Sequence, residues 1–129
     1  MTHQYIGTKI VTAWQQEESA CVIPRQGYAV KYSDGYISWS PKDVFEEAYR
    51  RTDGMSFGLA IEAIKKGLCV ARSGWNGKGM WLNLQVPDEN SKMSLPYIYM
   101  KTADDKQVPW LASQTDVLAD DWSVVNPII

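Results

Sequence analysis

Between two apolar stretches, Leu68–Arg72 and Met80–Leu84, the chain carries the run Ala71-Arg72-Ser73-Gly74-Trp75-Asn76-Gly77-Lys78-Gly79-Met80-Trp81. Asn-Gly between strand-like segments is a strong tight-turn signal, because both residues tolerate positive φ. A reversal here folds the flanking segments back on each other and predicts an antiparallel sheet. The same run is also suited to holding a nucleotide. Its three glycines let the backbone come close to a ligand, its two indoles offer flat stacking surfaces, and Arg72 or Lys78 can hold phosphate oxygens. On the residues alone both readings stand.

Turn and cap signals organise the remainder into two halves. Tyr5–Trp14 and Tyr28–Tyr32 read as strands, with Asp34-Gly35 as a hairpin turn before Ile37. Ser40 reads as an N-cap, Pro41 as the first helical residue and Asp43 as the third member of a capping box. Val44, Phe45, Ala48 and Tyr49 then share one helical face. Thr52-Asp53-Gly54 marks the boundary, giving an N-terminal part over 1–53 and a second domain over 54–129. In the second, a helix over Ser56–Lys66 buries Phe57, Ala60, Ile61 and Ile64, pairs Glu62 with Lys66, and stops at Gly67. Strands are expected at Leu68–Arg72, Met80–Leu84, Tyr97–Thr102, Gln107–Trp110 and Trp122–Val125, with a turn at Asp104-Asp105. Ser113 and Asp116 form a second capping box, opening a short helix that ends near Asp120. The sum is an α+β fold: a small, mostly antiparallel sheet with two or three short helices, preceded by an N-terminal strand-hairpin-helix extension.

Composition narrows the function classes. No apolar run approaches the roughly 20 residues that cross a bilayer, and Met1-Thr2-His3-Gln4-Tyr5 lacks the charged and apolar regions of a signal peptide. A cytoplasmic protein without a membrane partner is expected, with Cys21 and Cys69 as buried thiols. The formal charge of −2 carries no basic stretch, which argues against broad affinity for DNA or RNA. Six tryptophans and seven tyrosines exceed what one small core usually absorbs. Trp14, Trp39 and Trp81 suit strand positions facing a core, and other rings are free for a ligand or a partner.

Catalytic groups are scarce. His3 is the single histidine and stands at the terminus, so a nucleophile–histidine arrangement has little support. Arg72 occupies the place of the first glycine of a Walker loop, and Gly79 the place of its Ser or Thr. Asp116, Asp120 and Asp121 could join Asp104 or Asp105 on a divalent cation, and metal-dependent hydrolysis is the rival reading. Capping and turn roles account for the same carboxylates, so binding without turnover is preferred, with no cofactor and no metal.

Four blocks in order, Met55–Ala60, Val70–Met80, Pro96–Ala103 and Val108–Trp122, closely resemble the second Thoeris anti-defence family of bacteriophages over roughly residues 55–125. That resemblance implies a non-enzymatic sponge in the host cytoplasm. It would sequester cyclic ADP-ribose isomers made in bacterial immunity, and in some members cyclic dinucleotides, as a homotetramer with ligand pockets between protomers. Carried over by position, Trp75 would stack on the base with Arg72, Asn76 and Lys78 around it. The segment from Trp110 to Asp116 would line the other wall, where Ser113, Gln114 and Thr115 offer hydroxyl, amide and backbone N–H groups at a helix N-terminus, which favours an anion. A ligand-facing indole is not needed for a core, so Trp75→Ala is expected to leave the fold intact. Residues 1–53 depart from the compact family pattern. Within them Gly35–Arg50 looks like a segment of other small phage proteins of unassigned role, which leaves a protein-interaction module as a further reading.

Overall fold

The computed structural model describes residues 1–19, 22–76 and 78–126. Its elements run β1 (Thr12–Gln15), β2 (Gly27–Lys31), β3 (Ile37–Pro41), α1 (Lys42–Ala48), α2 (Phe57–Lys65), β4 (Cys69–Arg72), β5 (Trp81–Gln85), β6 (Tyr97–Lys101), β7 (Gln107–Pro109), α3 (Gln114–Val117) and β8 (Trp122–Val125). The α+β class holds: two antiparallel sheets and three short helices. The chain divides into two units, Met1–Arg50 and Arg51–Ile129. Thr52-Asp53-Gly54 lies inside the second, where the Thr52 carbonyl accepts from the Val124 N–H at 2.7 Å.

The first unit is a sheet of order β1-β2-β3 with α1 beside it. Gly35, at φ +90°, makes the expected hairpin turn, and the Asp34 carboxylate accepts from the Tyr36 N–H at 3.0 Å. Four expectations fail here, in whole or in part. The first strand is confined to Thr12–Gln15, because only those residues pair with β2. Ser40 does not cap α1: Ser40 and Pro41 pair with Tyr28 and Gly27 in the β2–β3 ladder, so both remain extended and the helix begins at Lys42 with no side-chain cap. Trp14 stays 42% exposed on an edge strand, and Trp39 is half-buried, its indole N–H donating to the Gln16 carbonyl at 2.7 Å. Of the expected helical face, Phe45 stacks between Tyr28 and Tyr49 at ring separations of 4.3 and 4.8 Å, whereas Val44 and Ala48 are exposed. Gly27 admits no side chain, since a Cβ there would strike the Trp39 ring.

The second unit is a sheet of order β7-β6-β5-β4-β8. Val70 on β4 stands opposite Leu82 on β5 and Val124 on β8, so the centre of one sheet face is apolar. Helix α2 covers that face with Ala60, Ala63 and Ile64, all buried, and the Ser56 hydroxyl accepts from the Leu59 N–H at its start. Gly67, at φ +89°, ends it as expected. Glu62 pairs with Lys65 at 3.8 Å and not with Lys66. Trp122 is fully buried and completes the core with Met55, Val70 and Leu82. Reciprocal backbone bonds between Met55 and Trp122, at 2.7 and 3.1 Å, cover the outer edge of β8. Cys69 is a buried thiol accepting from the Asn83 amide at 3.2 Å, while Cys21 lies outside the described residues. Trp81 is half-buried and meets Tyr99 edge-on at 6.0 Å.

Removing the buried indole by Trp122→Ala should cost about 3–5 kcal/mol in urea unfolding. A loss under about 1 kcal/mol would show that the core is organised around other residues.

Candidate functional site

The site is built at the end of β4. Arg72 pairs with Trp122 in the β4–β8 register, which brings Asp121, the residue before Trp122, alongside it. Its guanidinium is largely shielded, with the side chain 14% exposed, and a shielded cation needs partners. Two carboxylates supply them. Arg72 Nε donates to Asp121 Oδ1 at 2.8 Å, and Nη1 donates to Asp116 Oδ1 at 2.9 Å. The two aspartates hold the Arg72 pKa above its ordinary value, Asp121 contributing most.

Each carboxylate also fixes a loop. Asp121 Oδ2 accepts from the Gly74 N–H at 2.8 Å and from the Ser73 hydroxyl at 3.4 Å, so the glycine loop begins wrapped around it. Asp116 Oδ1 accepts from the Trp75 indole N–H at 3.2 Å, and Oδ2 from the Ser113 N–H at 3.3 Å. The Ser113 hydroxyl accepts from the Asp116 N–H in return, which completes the expected capping box on α3. That helix ends at Val117, short of Asp120, with Leu118 as its C-cap. The far end of the loop is held by Lys101, whose ammonium donates to the Gly79 carbonyl at 2.9 Å and pairs with Asp105 at 2.9 Å. Gly79 adopts φ +75°, a conformation side chains rarely take.

A cluster of rings lies below this network. Trp122 meets Trp75 edge-on at 5.4 Å and Trp110 edge-on at 6.0 Å, with Phe57 tilted against it at 5.5 Å. Trp75 and Trp110 are both half-buried and pack on the core. The expectation that the Trp75 ring is dispensable to the fold is therefore corrected: one edge abuts Trp122 and its N–H is committed to Asp116.

Of the residues expected to form the site, the structure brings together Arg72, Trp75, Ser113 and Asp116 in one bonded network. Asn76, Lys78, Gln114 and Thr115 are exposed, and among the described residues their side chains have no polar partner. Trp110 serves the ring cluster. Gly77 lies outside the described residues. Strands β4 and β5 are antiparallel, as the turn reading requires, but residues 73–80 separate them, a span wider than a two-residue turn. In the sequence Asp121 has the form of a turn residue or cation ligand only. Nothing local in the sequence marks it, because its partner is 49 positions away.

Three of the carboxylates that could hold a cation are paired with cationic side chains. Asp116 and Asp121 face Arg72, and Asp105 pairs with Lys101. Among the described residues no group of three or more His, Cys, Asp or Glu side chains could hold a metal ion.

Two comparisons with known proteins bear on this arrangement. Residues 55–125 match the family model of the Thoeris anti-defense 2-like domain. The chain is also 45% identical to Thoeris anti-defense 2 of Bacillus phage SP01, in an alignment of 85 residues covering 56% of this chain and 96% of the relative. The chain belongs to the Thoeris anti-defense 2-like family. Both bonded loops and the ring cluster fall inside the matched region, and residues 1–54 precede it.

The network sets a pH dependence. Burial pushes the Asp116 carboxyl up, but hydrogen bonds from Arg72, Trp75 and Ser113 outweigh it and leave it below the ordinary 3.8. Asp121 is lowered chiefly by the Arg72 hydrogen bond. Groups with lowered folded pKa values stabilise fully above the ordinary value and lose that contribution as pH falls through the folded one. The wild type should therefore melt higher than an Asp116→Asn/Asp121→Asn variant at pH 7, with the gap closing as pH drops below about 4. A gap unchanged between pH 7 and pH 3 in thermal melts would contradict this.

Proposed function

We propose that this protein is a phage anti-defence protein that binds and sequesters nucleotide second messengers of bacterial immunity, chiefly cyclic ADP-ribose isomers, without cleaving them. Family membership supports the anti-defence role. The observation that carries the binding reading is Asp116, which ties the glycine loop and the 113–116 turn into one surface through Arg72 and Trp75. That surface offers a partly open indole for a base, the exposed Lys78 ammonium for phosphate, and the Asn76, Gln114 and Thr115 side chains for polar groups.

Arg72 retains one contact for an anion. Its Nη2 makes no hydrogen bond among the described residues. No fully buried side-chain nitrogen or oxygen there lacks a partner, so Nη2 is not sealed from solvent. The reading against turnover rests on the carboxylates: those of Asp116 and Asp121 are engaged by Arg72, Trp75, Ser113 and Gly74, which favours a structural role over general base or metal-ligand work.

Magnitudes favour an oligomer. Nanomolar capture needs about −12 kcal/mol. One stacked base gives roughly 1–3 kcal/mol, and each hydrogen bond to a charged group about 1.5–3. Trp75, Lys78 and Arg72 Nη2 from one chain supply at most about 9 kcal/mol, and the neutral contacts of Asn76, Gln114 and Thr115 are offset by the cost of association. A pocket shared between protomers of a homotetramer reaches it, and the exposed Leu111, Val117 and Leu118 beside α3 supply apolar surface for such an interface.

Calorimetry with a cyclic ADP-ribose isomer should give tight binding. Lys78→Ala should weaken it at least tenfold with an unchanged melting temperature, since Lys78 is exposed and has no polar partner among the described residues. Heat-denatured complex should release the intact nucleotide. Absence of binding would refute the proposal, and recovery of a linear product would favour the hydrolase reading.

A further inference from the structure

Asp121 lies outside the set of residues that would touch a nucleotide, yet its bonds decide where one of them points. One oxygen takes Arg72 Nε and the other takes the Gly74 N–H, at 2.8 Å each. The Asp121 carbonyl accepts a further bond from the Ser73 N–H at 3.1 Å. With Nη1 tied to Asp116, the guanidinium is held on two sides and only its Nη2 edge is left open. That edge lies beside Gly74, where a Cβ would stand 3.4 Å from Nη2 and 2.8 Å from Asp121 Oδ2. A side chain at position 74 would thus cover the open edge and crowd the carboxylate that aims it. Glycine leaves both clear.

We propose that Asp121 is a positioning residue of the ligand site, which fixes the Arg72 plane so that its free Nη2 edge meets an anionic group of the ligand beside Gly74. The claim rests on the proposed function, since it assigns one phosphate contact of that same site. A guanidinium already locked in its binding pose loses little side-chain freedom on capture, so the benefit falls on the lifetime of the complex. Asp121 acts through Arg72 and the loop backbone and makes no ligand contact itself.

The test combines a ligand-free readout with a binding one. In 15N-labelled protein, the Arg72 Nε–H should exchange slowly with water in the wild type and at least tenfold faster in Asp121→Asn. Stopped-flow binding of a cyclic ADP-ribose isomer should show dissociation at least tenfold faster in that variant, with association changed less. Gly74→Ala should give the same pair of effects while leaving the Asp121 charge in place. Ala63→Gly in α2 lowers stability away from the site, and should leave dissociation at the wild-type rate. Equal dissociation rates for wild type and Asp121→Asn, or Arg72 Nε–H exchange unaffected by the substitution, would overturn the positioning claim. Dissociation accelerated as much by Ala63→Gly would also overturn it, as a general stability effect. A wild type that binds no nucleotide would sink the proposed function instead, and the Nε–H comparison would still decide whether Asp121 fixes Arg72.

Discussion

One guanidinium shared by two carboxylates organises the second half of this chain. Arg72 leaves β4 where the strand gives way to the glycine loop, and the β4–β8 pairing shields it from most solvent. A charge so placed is costly unless it is paired and hydrogen-bonded, and the two partners come from different segments. Asp121 ties Arg72 to the start of the loop, while Asp116 ties it to the turn that opens α3. Without the arginine, two carboxylates would face each other with only backbone, hydroxyl and indole donors. The loop and the turn would then have no common anchor.

Beneath that polar layer, Trp122 does for the core what Arg72 does for the surface. Its indole N–H donates to the Asp116 carbonyl at 3.0 Å, and Phe57, Trp75 and Trp110 pack around its ring. The fully buried core and the solvent-facing loop are therefore two layers of one arrangement. Trp75 belongs to both, which is why truncating it tests stability and ligand capture together. Lys78, exposed on the same loop and free of partners among the described residues, separates the two.

Much of this architecture is legible in the sequence where local chemistry decides it. Gly35 and Gly67 mark backbone reversals that need positive φ, Ser113 and Asp116 spell a capping box, and Val70, Leu82 and Trp122 fall on the buried sheet face. Reading fails where a tertiary partner overrules a local motif. Ser40-Pro41 has the form of a helix start, yet Tyr28 and Gly27 claim both residues as strand. Trp14 has the alternation of a core strand but stands on an edge. For the site, position and residue type point to Arg72, Trp75, Ser113 and Asp116, and the capping box gives the Ser113–Asp116 bonds, but the bonds from Asp116 to Arg72 and Trp75 have no local signal. Those bonds span 41 to 44 positions, and nothing short-range signals that Asp116 would be spent on Trp75 and Arg72.

The first unit, a three-stranded sheet with the Tyr28–Phe45–Tyr49 stack, precedes residues 55–125, which match the family model. The proposed function therefore lies within residues 55–125, with the unbonded Nη2 edge of Arg72 offered to a phosphate. Phosphorus NMR of a cyclic ADP-ribose isomer mixed with the protein tests that most directly. The account predicts that both pyrophosphate resonances shift on addition of wild type, return to their free positions with Arg72→Met, and give rise to no new species over hours. Unperturbed resonances with wild type, the same shift with Arg72→Met, or the growth of linear ADP-ribose would contradict it.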